Sequence, residues 1–109
     1  MFARHVTMTL KPVVGREFRP ILENEILPLL RRQKGFLEEL LLVHPLKNEA
    51  IAISLWEEKE HAEKFNNDVY PEIVKILNKY VEGIPIVKDF EVPYATIPSF
   101  EKSVKYVTA

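Results

Sequence analysis

The chain has 109 residues, 47% of them hydrophobic and 28% charged, with a formal net charge of −1 and no cysteine. This is the composition of a single globular domain. It offers no basic footprint for nucleic acid, no disulfide or thiolate chemistry, and no apolar run approaching the ~20 residues of a membrane span. Met1 to Leu10 alternates in hydropathy instead of placing an apolar block after a basic region, so no signal peptide is expected and a cytoplasmic location is the default expectation. A domain this short leaves much of its surface uncovered, which favours a partner subunit.

Phe2 to Lys11 has period two. Phe2, Arg4, Val6, Met8 and Leu10 fall on one face, and Ala3, His5, Thr7 and Thr9 on the other, which predicts a first strand. Pro12 stops it, and Val13-Val14-Gly15 forms the connection. Arg16 to Lys34 reads as a helix with one apolar stripe (Phe18, Ile21, Leu22, Ile26, Leu29, Leu30), kinked by Pro28 and ended by Gly35. Phe36 to His44 is leucine-rich, but Gly35 and Pro45 confine it to strand length. After a short turn, Ala50 to Trp56 forms a third strand, antiparallel to the second. Glu57 to Asn66 is a charged helix with an acidic first turn, broken at Asn66-Asn67-Asp68. Pro71 suits the start of the next helix, whose stripe is Ile73, Ile76, Leu77 and Tyr80. Gly83 and Pro85 end it, and Ile86 to Thr96 reads as a fourth strand, with Pro93 indicating an edge or a bulge.

The order strand, helix, strand, strand, broken helix, strand predicts an α+β domain over residues 1–96. Its plan is ferredoxin-like, a four-stranded antiparallel sheet with the helices on one face. Residues 97–109 are a tail that includes Phe100, Val104 and Tyr106 and is too apolar for pure disorder. The strands carry apolar residues on both faces, so a second copy packed on the open face is expected.

Several segments carry a resemblance to the antibiotic biosynthesis monooxygenase family. They are Leu10-Lys11-Pro12 ending the first strand, Ile26-Leu27-Pro28 late in the first helix, Gly35-Phe36 opening the second strand, and Ser54-Leu55-Trp56-Glu57 leading into the next helix. The resemblance covers residues 2–96 and implies a homodimeric α/β barrel with a pocket inside each subunit, between sheet and helices. It implies chemistry without a cofactor, either cofactor-independent oxygenation of a small aromatic of quinol or anthrone type or ligand binding without catalysis. Anthrone-oxidising members of the family place an asparagine four residues before the strand-three tryptophan. Here Trp56 matches, and the asparagine position is Ala52. Haem-degrading members use an asparagine, a tryptophan and a histidine whose places here fall at His5 (or Arg4, one register step away), Phe65 and about Val74. Haem degradation is therefore not expected.

Trp56, Phe65, Tyr70 and His5 are the expected ligand-pocket residues, with His5 and His61 as candidate bases. Each also has a plainer reading. Trp56 stacks on a flat ligand or fills the core at a strand end, and His61 is a base or a surface histidine. Tyr70 lines the pocket or simply packs. The histidines His5, His44 and His61 lie on three separate elements without ligand spacing, so no metal site is expected. Glu38-Glu39 and Glu57-Glu58 are sequence neighbours whose side chains diverge, which does not support paired-carboxylate chemistry.

Overall fold

The computed structural model describes residues 1–12 and 17–98; the Val13-Val14-Gly15 connection and residues 99–109 of the tail lie outside the described residues. Strand β1 (Phe2–Leu10) occupies the interior of a four-stranded sheet of order β2-β3-β1-β4, built with β2 (Phe36–Val43), β3 (Glu49–Trp56) and β4 (Val81–Glu91). All three pairings are antiparallel, as the ferredoxin-like plan requires. The period of two in β1 sends Phe2, Arg4, Val6, Met8 and Leu10 under the helices, where all five are buried. Ala3, His5 and Thr7 point to the opposite face.

The first helical run is not a kinked α-helix. It comprises α1 (Phe18–Ile21), a π-helical turn (Leu22–Ile26) and α2 (Leu27–Arg31). The Leu27 amide donates to the Leu22 carbonyl, five residues back, which defines the wider turn. Pro28 accounts for its position. Its ring has no N–H to donate and crowds the carbonyl four residues earlier, so the chain widens just before it and α2 starts with proline in its first turn. Leu22, Ile26 and Leu30 remain buried on one side throughout.

The second helical run divides into α3 (Lys59–Asp68) and α4 (Tyr70–Leu77). The break falls at Val69, not at Asn66-Asn67-Asp68, which instead forms the last turn of α3. The Val69 amide still donates to the Phe65 carbonyl at 2.9 Å. Pro71 has no amide to continue that ladder and its ring crowds the carbonyl four residues back, so the helix breaks at Val69 and restarts at Tyr70 with the proline in its first turn.

The fourth strand begins five residues earlier than its apolar pattern suggests and ends at Glu91, before Pro93. Gly83 and Pro85 belong to the strand rather than to the end of the preceding helix. Between the pairs Thr9↔Glu82 and Thr7↔Ile86 the register shifts, and residues 83–85 stand opposite Met8 alone. Gly83 adopts φ 69°, a conformation that favours glycine, and Pro85 has no amide to leave unpaired. An edge strand tolerates both.

The chain leaves α2 through Gly35, at φ 83°. Its carbonyl accepts from the Glu57 amide at 2.8 Å, tying the entry of β2 to the exit of β3. A side chain at this position would collide with the His61 imidazole on α3. Gly35→Ala should therefore destabilise the fold by about 1–3 kcal/mol in denaturant unfolding. Adding His61→Ala should recover part of that loss, the part due to collision rather than backbone strain. Full additivity of the two substitutions would show that the contact is not the cause.

Candidate functional site

Strand register aligns four side chains in one row across the helix-facing side of the sheet. Glu39 on β2 pairs with Ser54 on β3, Ser54 pairs with Arg4 on β1, and Arg4 pairs with Asp89 on β4. Glu39, Ser54 and Arg4 all line a cavity of about 40 Å3 between the sheet and the helices. Its floor is completed by Val6, Met8 and Ala52. Phe18, Leu22, Ile26 and Leu30 of the first helical run, with Phe65, Tyr70, Ile73 and Leu77 of α3 and α4, form its apolar roof. The cavity is thus dry-walled except for one guanidinium, one carboxyl, one serine hydroxyl and one phenol.

Arg4 is only 3% exposed. Its guanidinium carbon lies 4.3 Å from the Tyr70 ring centroid and 5.5 Å from that of Phe65, a cation held against two aromatic faces. Among the described residues, its Nε and Nη2 are buried without a hydrogen-bond partner. Burial pulls the guanidinium below its ordinary pKa, while Tyr70 and Asp89 act in the opposite direction. The same burial raises the Tyr70 phenol, with Arg4 opposing. Arg4 also borders an outer cleft of about 240 Å3 formed with Ala62, Glu63, Asn66, Asn67 and Asp89. It therefore lines both the apolar cavity and a polar cleft beside it.

Glu39 is the second unpaired group. Its Oε1 is buried with no partner among the described residues. Desolvation pushes its carboxyl from 4.5 up to about 8. Sequence neighbours diverge on a strand, so Glu38 points away, and the acidic pair conceals one inward carboxyl. The signal for Glu39 and Arg4 was strand alternation, but it needed the register of three strands to bring the two into one cavity.

The other candidate residues are distributed around this cavity. Phe65 and Tyr70 line it. Trp56 is fully buried behind Phe65, with ring centroids 5.0 Å apart; it also packs edge-on against Phe36, and its indole Nε1 donates to Ser54 Oγ at 2.9 Å. It positions two cavity residues without facing the cavity. His5 lies on the opposite face of the sheet, edge-on to Phe90 at 6.0 Å, because alternation directs Arg4 inward. His61 packs against Gly35 and is not among the cavity-lining residues. No group of three His, Asp or Glu side chains among the described residues could hold a metal ion.

The Glu39 shift carries a stability consequence. Native Glu39 keeps its proton to about pH 8, whereas the unfolded chain releases it near 4.5. Between those values the native state binds more protons, so this group's contribution is full below pH 4.5, falls as pH rises, and levels off above 8. The span is on the order of 3–5 kcal/mol. Glu39→Gln should flatten that slope relative to wild type and raise the melting temperature above pH 8. Parallel stability–pH curves for the two proteins would contradict it.

No family model matches the chain, and no curated protein matches it in sequence. Solved structures do match in fold. A monooxygenase from the ActVA-Orf6 gene of Streptomyces coelicolor, solved with the ligand nanaomycin D, superposes with a TM-score of 0.73 at 16% identity, covering 89% of this chain and 91% of that one. SnoaB, a cofactor-independent oxygenase from Streptomyces nogalater, gives 0.71 at 14% identity, with 87% and 95% covered. An MhuD variant with two manganese protoporphyrin IX bound per active site gives 0.68 at 17% identity, with 88% and 98% covered. The chain has the fold of the antibiotic biosynthesis monooxygenases, and at these identities the likeness is one of fold.

Proposed function

We propose that the cavity between sheet and helices is a small-ligand site, and that the protein is a cofactor-independent oxygenase of a small aromatic of quinol or anthrone type. The observation that carries this reading is an apolar chamber lined by a guanidinium and a carboxyl, Arg4 and Glu39, whose Nε, Nη2 and Oε1 atoms are buried without hydrogen-bond partners among the described residues, on a fold shared with an oxygenase that needs no cofactor. In such a reaction the deprotonated substrate is its own reductant. It passes electrons to dioxygen, and the protein contributes orientation and exclusion of water. At about 40 Å3 the cavity has room for a few water molecules. A ring enters when Arg4 or Phe65 swings aside, and the outer cleft at Arg4 gives the route.

A second reading, binding without catalysis, is favoured by one feature. Ala52 stands where the anthrone-oxidising relatives have an asparagine, so a polar group of their site is absent. His5 (or Arg4), Phe65 and about Val74 stand at the places of the haem-degrading asparagine, tryptophan and histidine, which does not favour porphyrin chemistry.

Assembly belongs to the same proposal. On the sheet face away from the helices, Leu40, Leu42, Ile86 and Phe90 are exposed, at 53%, 45%, 59% and 50%. Ile51, Ile53 and Leu55 lie between them in register. A second copy packed on this face would complete a dimeric α/β barrel, burying on the order of 2,000 Å2 or more. Light scattering at micromolar concentration should give a dimer mass, and Phe90→Glu should shift it toward monomer. A wild-type monomer would contradict the assembly.

Activity is tested by oxygen uptake with a panel of hydroquinones, with no metal or flavin added. Turnover above spontaneous oxidation is expected, and Ala52→Leu, which fills the floor, should lower it about tenfold or more while the circular dichroism is retained. Binding without oxygen uptake would leave the non-catalytic reading, and an unaffected Ala52→Leu would place any activity outside the cavity.

A further inference from the structure

Resting on the reading of the cavity as a small-ligand site, we propose that Glu39 accepts the ligand's proton and Arg4 holds the resulting oxyanion, which makes the ligand a single-ring phenol or hydroquinone. The two residues stand on β2 and β1 with β3 between them, so their backbones are separated by two strand spacings, about 10 Å. Between them the floor carries only small side chains, Ala52 and Ser54, and the roof is apolar. A flat ring lying over that floor would have its hydroxyl within the row that holds both groups. No ion pair joins Arg4 to Glu39, and the buried donors of one and the buried acceptor of the other are left without partners among the described residues. Leaving such groups unmade is costly, and a ligand that bridges them recovers the loss.

The site's charge balance favours an oxyanion. Arg4, Glu39 and Tyr70 are the titratable groups that line the cavity, and the first helical run contributes only apolar side chains to it. Asp89 faces Arg4 from β4, in the outer cleft and not in the cavity. Tyr70 stays a neutral phenol because burial raises it, so it does not compete as the anion. Glu39 holds its proton to about pH 8, which makes its carboxylate a far stronger base than an exposed one and brings it near the range of acidic phenols. In the step itself, Glu39 first releases its own proton to solvent as pH passes about 8; the ligand O–H bond then breaks and an O–H bond forms on the Glu39 carboxylate. The electron pair stays on the ligand oxygen, where Arg4 Nε and Nη2 face it. No oxidant or reductant is consumed.

The test is fluorine NMR of para-fluorophenol bound to the full-length chain, because the phenol and phenolate resonate at different positions. In the wild type the bound resonance should move to the phenolate position as pH passes about 8, before the free ligand ionises. Glu39→Gln, nearly isosteric, should bind the ligand but keep it as phenol until the free ligand's own ionisation. Arg4→Met should also abolish the early phenolate signal, whereas Arg4→Lys, which keeps the charge if the larger change impairs folding, should retain it in part. A wild-type protein that binds the ligand only as phenol, or a Glu39→Gln protein that still ionises it early, overturns the proton transfer and leaves the ligand site standing. Absence of binding by every form overturns the ligand site as well.

Discussion

Strand β1 is hydrogen-bonded on both edges and lies under the helices, so its side-chain alternation sets which groups enter the interior. Four of the five inward positions are apolar, and burying them against the two helical runs provides the main packing of the domain. The fifth is Arg4. Because the pleat has period two and the neighbouring apolar residues demand burial, Arg4 cannot turn outward without exposing Phe2, Val6, Met8 and Leu10 together. The fold thus holds a guanidinium in a low-dielectric chamber by the force of its neighbours, and Tyr70 and Phe65 supply the aromatic faces that make this tolerable.

The roof explains why a chamber exists there at all. Two straight helices would seal the sheet closely, but Pro28 enforces a π-helical turn in the first run, and Pro71 enforces a break at Val69 in the second. Both irregularities border the region over Arg4, Ala52 and Ser54, where the sheet itself offers small residues. Trp56 closes the adjacent space, wedged between Phe36 and Phe65 and tied to Ser54, so the void stays at the row of Arg4 and Glu39 and does not extend to the strand end.

The element order and the helix-facing stripe were legible in the sequence because long-range packing there follows local periodicity. The start of the fourth strand was not, because Gly83 and Pro85, ordinarily helix and strand breakers, sit in an edge irregularity that only pairing with β1 reveals. The site was legible in part. Phe65 and Tyr70 could be assigned to the helix-side layer, but a one-residue step in β1 exchanges His5 for Arg4, and no local pattern decides it as firmly as the burial of four flanking apolar residues does. Glu39 was hidden for a different reason. Beside Glu38 it resembles an ordinary solvated pair, and its meaning depends on β2 pairing to β3 in the register that sets it in line with Ser54 and Arg4.

Glu39 and Arg4 line one apolar-walled cavity, and the Glu39 Oε1 and the Arg4 Nε and Nη2 are buried there without hydrogen-bond partners among the described residues. Carbon NMR titration of the Glu39 side-chain carboxyl in the unliganded protein tests this arrangement most directly. Ionisation is expected at about pH 8; a carboxyl that titrates near the ordinary 4.5 would be solvated or paired, and the site as described would not exist.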